Sequence, residues 1–553
     1  MSNAPQIGHY LSRGMFSGNG LVAKTSALLT QKFYQKYFEQ GEADDLIRPF
    51  PKTLLPNNRD LGLAWLAGDY PLKGAILRGQ KNLPFDCPPP NDAWLAELYA
   101  FDWLVHICTI ESPQADMMTR ASISHWLHQK NYTPSLAWQG DILARRFVAL
   151  SACSKNIAPL LTNQQNIDFL RRLTTEARYL SKMINHTPDG LPRLIAACGY
   201  TYSCFALANG TSQLNHAIAA LTRELKKQVA SDGLHKSRAP DALLWVLPVL
   251  IEIKNTLQER KLNLPQTLVT AIKQIGQALK FMRHADGKLS VFQGGLEAGC
   301  FTGLTKNGLA SLIKLSGATQ AINYGVLSDS QYHRIAAGKT LVFVNTGSTA
   351  GPQDNAPCAM ELSRGGQRLW VNCGTNYVHG PLWQEASRQP AAHSMLSLNT
   401  VPHHSKSPRV TAKRLEDPNA IWLETSHDLY KPDLHLEMHR RLYVDLSGED
   451  IRGEELIFRG APAAAKPVEF TLRFHLHPHV KASLTKNKNS VLLALPNREG
   501  WQFLIEADKA KMSLTESVYM GQNGVPRQTQ QICLEGVFDA SQFSLKWGLK
   551  LMR

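Results

Sequence analysis

Several things are missing from this chain. No apolar run is long enough to span a bilayer. Nine cysteines (Cys87, Cys108, Cys153, Cys198, Cys204, Cys300, Cys358, Cys373 and Cys533) fall at irregular spacings without one CxxC pair, which argues against zinc clusters and thioredoxin-type exchange. Many sit in apolar contexts such as Leu104-Val-His-Ile-Cys108, as buried thiols in a reducing compartment do. No Gly-x-Ser-x-Gly elbow signals a serine triad, and no Walker loop signals a nucleotide. The first ten residues lack a basic stretch leading into an apolar core, so a cytoplasmic location is expected. Basic tracts are absent too: 60 Lys and Arg outnumber 45 Asp and Glu, giving a net charge of +15, but they are dispersed. Such an excess draws polyanions toward any basic cleft, and without a recognition motif nucleic acid is not the expected partner.

What is present divides the chain in two. At 553 residues, more than one hydrophobic core is needed, on the order of two to three domains. From residue 20 to about 315 apolar residues recur at helical spacing, as in Trp94–His106, Ile142–Leu150 and Leu268–Phe281, with Pro- and Gly-marked loops between. Consecutive helical hairpins without a fixed repeat imply a bundle or toroid. From about residue 330 the period becomes two, in Leu341–Val344, Leu369–Asn372, Ala420–Glu424, Arg441–Asp445, Phe470–His477, Val491–Leu495 and Trp501–Ile505. Short strands with no intervening helices predict an antiparallel sandwich. The fold class is thus α+β multidomain, with a join between Leu315 and Ser330.

Two loops of the helical half carry candidate chemistry. In Asp232-Gly-Leu-His235-Lys-Ser-Arg238-Ala-Pro240 the Asp-Gly turn and the helix-restarting proline put His235 and Arg238 on a loop or a first turn, where a plain helix connector is the alternative. The second, Arg283-His284-Ala-Asp286-Gly-Lys-Leu-Ser-Val-Phe-Gln293-Gly-Gly295, combines His284, Asp286 and Gln293 with glycines that let backbone approach a ligand. In the β half, Arg388-Gln-Pro-Ala-Ala-His393 reads as the start of a half-buried strand, followed by His403 and His404. His427, His439 with Arg440, and Arg473-Phe-His475-Leu-His477 come later. Alternation puts His475 and His477 on one strand face, where they can bind a metal or form a polar sheet face.

In their order, many segments resemble those of the heparinase II/III-like proteins, particularly a compact, leaderless bacterial branch. They include Leu98-Tyr-Ala-Phe-Asp-Trp-Leu, Asp141-Ile-Leu-Ala-Arg-Arg-Phe, Asp189-Gly-Leu-Pro-Arg193, Asp232–Pro240, Asp286–Gly294, Tyr332-His-Arg, Val371-Asn-Cys-Gly, Ala392-His-Ser, Ser426-His-Asp-Leu-Tyr, Arg473–Pro478 and Glu516-Ser-Val-Tyr519. The resemblance implies an incomplete α/α toroid over residues 1–320, an antiparallel β-sandwich over 321–553, and a cleft between them. It further implies a polysaccharide lyase that cuts an acidic, uronic-acid-containing glycan by β-elimination: the uronate carboxylate is neutralised, a base takes the C5 proton, and an acid protonates the leaving oxygen.

Carried over residue by residue, His393 matches the family's β-domain histidine, and His235 with Arg238 falls in the toroid loop bordering the cleft, which makes these three the candidate catalytic groups. Arg388, His284, Asp286, Gln293, His427, Arg440 and His475 are the candidate substrate contacts. In characterised lyases a tyrosine follows the proline closely, whereas this chain reads Pro240-Asp-Ala-Leu-Leu. Either His235 is the base, or Tyr200, Tyr202 or Tyr377 reaches in, or the chain is a non-catalytic glycan-binding or envelope-assembly protein. Met395 stands two residues after His393, where some relatives have a ligand, so no metal and no cofactor is expected. The resemblance taken alone points to the periplasm or cell envelope.

Overall fold

The computed structural model describes residues 53–552, apart from 129–134, 299–303, 349–355, 376–379, 400–406, 461–466 and 507–508. His403, His404, Tyr377 and Cys300 lie outside the described residues, and the other eight cysteines are unpaired thiols.

The helical half is an incomplete toroid, and local chemistry fixes its helix ends. Asn91 caps Asp92–Ala100 by accepting from the Trp94 backbone N–H. Thr162 and Gln165 form a reciprocal capping box at the start of Asn163–Met183. At the centre, Gly140–Ala152 and Leu191–Ala206 pack so closely that a Cβ on Gly199 would stand 2.4 Å from the Cβ of Ala144. Charge is enclosed beside this contact. Arg146 is fully buried and is met by the Glu176 carboxylate and by the carbonyls of Tyr99 and Ala137. Inside the helical region the periodicity missed a hairpin, Tyr70–Leu72 with Ala75–Leu77, because three-residue strands are too short to display a period of two.

The last toroid helix, Lys306–Leu315, is followed by strands from Val326 onward. They form two antiparallel sheets. One runs edge to edge through 511–519, 527–538, 468–476, 367–371, 360–364, 340–345, 332–337 and 326–327, with 396–398 paired to 468–476. The other runs through 481–484, 490–494, 500–505, 542–552, 450–459, 436–445, 420–427 and 410–416. Trp370 sits between them, its ring centroid 4.6 Å from Phe474 and 5.5 Å from Trp547. The first sheet turns its other face to the toroid: Tyr332 and Phe343 belong to the helical core, with Phe292 5.3 Å from Tyr332 and His284 4.8 Å from Phe343.

Two local expectations are corrected. The segment before His393 is not a strand: Gly380 and Pro381 start a helix, Pro381–Arg388, and Pro390 ends it in a tight turn, Pro390–Ala392, with the strand beginning only at Leu396. The strand carrying His475 stops at Leu476, so His477 lies just beyond it.

Replacing Trp370 by Ala empties the centre of the sandwich and is expected to lower the unfolding free energy by about 3–5 kcal/mol, read by urea denaturation.

Candidate active site at the domain junction

Loop 231–241 leaves the helix Leu214–Gln228 and is latched to the start of the β domain. Gly233 (φ 94°) lies against the Gln274 carbonyl, where a Cβ would be only 2.0 Å away. The Asp232 carboxylate accepts from the Ser330 N–H at 2.7 Å and from its hydroxyl at 2.8 Å. Arg238, with φ 64°, donates to the Ser330 carbonyl at 2.8 Å, the Ser348 carbonyl at 3.2 Å and the Asn345 amide oxygen, and lies 4.9 Å above the Tyr332 ring. Its guanidinium is thereby a clamp between domains. His235 is on this loop as expected, but its ring is 3% exposed rather than solvated. Its Nδ1 accepts from the Ser237 N–H at 3.0 Å, so the neutral ring carries its proton on Nε2, a buried atom with no partner among the described residues. Burial, with Lys236 beside it, lowers the imidazole to about 4 and keeps it neutral at pH 7.

The second loop, 283–297, docks on the first sheet through charge. His284 contacts the Ser363 hydroxyl at 2.7 Å and the Glu361 carboxylate at 3.0 Å. Arg368 donates to Asp286 at 2.8 Å and to the Leu289 carbonyl at 2.9 Å, and lies 3.8 Å from Glu297. Glu297 accepts from Lys288 at 2.6 Å and from the Tyr519 hydroxyl at 2.5 Å. Burial alone would raise the Glu297 and Asp286 carboxyls, but Arg368, joined at Glu297 by Lys288, brings each down to about 2. Gln293 takes a left-handed backbone, φ 55°, and its buried amide nitrogen has no partner among the described residues.

His393 comes up against this second loop. The Asn372 side chain donates to the Val291 carbonyl at 3.0 Å and accepts from the Ser394 N–H at 3.1 Å, so one amide ties the turn carrying His393 to the loop carrying Gln293. Nδ1 of His393 faces the Gln389 carbonyl at 2.9 Å, which assigns a proton to that nitrogen. His475 backs the same turn, touching the Ala391 carbonyl at 3.0 Å and the Ser517 hydroxyl at 2.8 Å, and burial lowers it to about 3. Arg388 is exposed at the end of the preceding helix.

The structure therefore gathers His235, Arg238, His284, Asp286, Gln293, His393 and His475 along one junction. His427 and Arg440 are placed elsewhere. Arg440 is buried against Glu455 at 2.6 Å and the Cys358 carbonyl at 2.8 Å, and with His427 it lines a small cavity inside the β domain. Of the nominated tyrosines, Tyr200 donates to Gln213 at 2.9 Å and Tyr202 is fully enclosed. Sequence reasoning missed Asn372, Glu361 and Arg368, whose roles depend on long-range pairing; Asn372 had signalled only as part of Val371-Asn-Cys-Gly.

Residues 320–548 match the family Heparinase II/III-like, C-terminal. The chain is 27% identical over 496 residues to the FtsZ-localized protein C of Caulobacter vibrioides, covering 85% of this chain and 84% of that one. Among solved structures it is similar to heparinase III, with a TM-score of 0.70 at 12% identity over 96% of this chain and 91% of the other. It is also similar to the heparan sulfate lyase HepC from Pedobacter heparinus, with a TM-score of 0.58 at 15% identity over 95% and 88%. These structural likenesses establish the toroid-plus-sandwich fold.

Because the Asp286 and Glu297 carboxyls are depressed in the fold, the stability they contribute is present above the unfolded carboxylate range, about 4, and is lost as pH falls toward about 2. Acid titration of the thermal midpoint is expected to fall across that window, and Glu297→Gln to flatten part of the fall. Tyr519→Phe is expected to cost about 1–3 kcal/mol at neutral pH by leaving the Glu297 carboxylate short of a donor, measured by chemical denaturation.

Proposed function

We propose that the protein, whose residues 320–548 match the Heparinase II/III-like, C-terminal family, is a polysaccharide lyase-like enzyme that binds an acidic, uronic-acid-containing glycan at the domain junction and cleaves it by β-elimination. The observation that carries this reading is the Asn372 tie, which sets the His393 turn against the toroid loop bearing Gln293. A glycan lying there would meet groups from both domains. His393 stands on that turn, while the buried Nε2 atoms of His235 and Gln293 are donors without a partner among the described residues and are suited to sugar oxygens. Arg238, His284, Asp286 and His475 act behind them as positioning residues, since each is engaged with protein atoms. Exposed Arg388 is suited to a carboxylate at the rim. A net charge of +15 favours accumulation of a polyanion.

A second reading, a non-catalytic glycan-binding or envelope-assembly protein, draws on two observations. No tyrosine closely follows Pro240, with Tyr200 and Tyr202 engaged or enclosed, and the 27% identical relative is named for localisation with FtsZ.

Alginate, polygalacturonate, heparan sulfate and their oligosaccharides, incubated with the full chain, separate the readings. Ultraviolet absorbance from a new C4=C5 double bond is the expected outcome. Binding without that absorbance favours the second reading, and neither binding nor absorbance sinks both. On the cleaved substrate, His393→Ala is expected to lower kcat by about 10²-fold or more with an unchanged melting temperature. An unchanged rate would remove His393 from the chemistry.

A further inference from the structure

Three Asp-Gly turns follow alternate helices of the toroid: Asp189-Gly190 after Asn163–Met183, Asp232-Gly233 after Leu214–Gln228, and Asp286-Gly287 after Gln266–Phe281. Alternate helices of an up-and-down array end on the same side, and the three glycines all take positive φ, 100°, 94° and 90°. Contacts put the turns next to one another: Lys227 and Lys236 reach Asp189, and Gln274 donates to the Ser231 carbonyl at 2.8 Å. The second and third turns dock on the β domain, through Asp232 with Ser330 and Asp286 with Arg368. The first meets side chains of the toroid instead.

Asp189 gathers cations. Lys227 donates to it at 2.9 Å and Lys236 at 3.4 Å, Arg193 stands 3.7 Å away, and the Gln228 amide donates at 3.1 Å. Arg193 is itself fixed, giving two hydrogen bonds to the Thr187 carbonyl at 3.0 and 2.8 Å. The Lys227 hydrogen bond, with the charge of Lys236 beside it, holds the Asp189 carboxyl well below the usual carboxylate range. Three cations on one carboxylate leave a local excess of two positive charges, and the neighbouring pair of Arg223 and Glu224, 3.6 Å apart, adds none. Asp232, the other acid of the turn that carries Lys236, is given over to Ser330. The lysine side chains are accessible, Lys227 being 46% and Lys236 43% exposed. Lys236 also follows His235 directly. After burial, the influences on the His235 ring are the charges of Lys236 and Asp189, so the cluster lies within electrostatic reach of the junction.

We propose that Arg193, Lys227 and Lys236, held on Asp189, form a subsite for a second anionic group of the glycan, a carboxylate or a sulfate on a sugar beyond the one at His235. The proposal rests on glycan binding at the junction, which both functional readings share. Asp189 does not take the anion; it holds three flexible side chains around one point, so that less side-chain freedom is lost when the anion arrives. A polymer charged on consecutive sugars fills the junction and the subsite together, and is favoured over one with an isolated uronate. The track runs along the rim of the toroid, from the two turns docked on the β domain to the turn at Asp189.

Titration calorimetry of the full chain with oligomers of polygalacturonate and of heparan sulfate, at low ionic strength, reads the subsite through Kd. Lys227→Gln combined with Lys236→Gln is expected to raise Kd about threefold or more and to make its salt dependence shallower. Lys227→Arg combined with Lys236→Arg keeps both charges and is expected to stay within about twofold of wild type, which ties a loss in the Gln pair to charge rather than to folding. Lys486→Gln combined with Lys488→Gln removes the same charge from the exposed turn of an edge hairpin in the second sheet and is expected to change Kd less than about twofold. Weakening that includes polygalacturonate assigns a carboxylate, and weakening on heparan sulfate alone assigns a sulfate. A smaller rise than about threefold in the Gln pair on both polymers, or an equal rise in the Arg pair or in the Lys486 and Lys488 pair, overturns the subsite and leaves glycan binding standing. Absence of wild-type binding to both polymers overturns the proposed function with it.

Discussion

The molecule depends on one buried cation. Arg368 stands on the strand Gln367–Val371 and is fully enclosed where the toroid meets the sandwich, with Asp286 and the Leu289 carbonyl on one side and Glu297 on the other. An isolated guanidinium there would carry a large desolvation penalty, so the site is tolerable only when the toroid loop brings both carboxylates to it. Docking and charge neutralisation are the same event. Tyr519 adds a hydrogen bond from a third strand, and His284 with Glu361 adds a hydrogen-bonded contact from the same loop one strand over.

From this constraint the site follows. A loop pinned at Asp286, Leu289, Val291 and Glu297 has little freedom left between its anchors, which is how Gln293 can be held in a left-handed conformation with an unsatisfied amide. Strain and an unpaired buried donor are costs, and they fall where two domains converge on His393. The clamp of Arg238 on Ser330, Asn345 and Ser348 fixes the neighbouring loop in the same way. Much of the polar inventory thus serves to position a smaller set of side chains that retain unspent chemistry.

The change of period near residue 330 was legible because helices and strands differ in the spacing of buried residues, and the observed gap between Leu315 and Val326 falls inside the region named from sequence. The pairing of loops 231–241 and 283–297 with the first sheet was not legible, since Asp232 with Ser330 and Asp286 with Arg368 are 98 and 82 residues apart and nothing local marks them. Arg238 reads in sequence as a free loop cation and is in fact a clamp; His427 and Arg440 look like site residues and are buried against Cys358 and Glu455 in the β domain. Asp241 follows Pro240 where the resemblance leads one to expect a tyrosine, and nothing local in the sequence conveys that its carboxylate accepts from the Leu296 N–H.

Elimination at the junction leaves a chemical signature that hydrolysis does not. The most direct measurement is proton NMR of a polyuronate digest, counting olefinic H4 signals against new reducing ends. One double bond for each chain end is the predicted result. Reducing ends without olefinic protons would mean hydrolysis and would contradict the account.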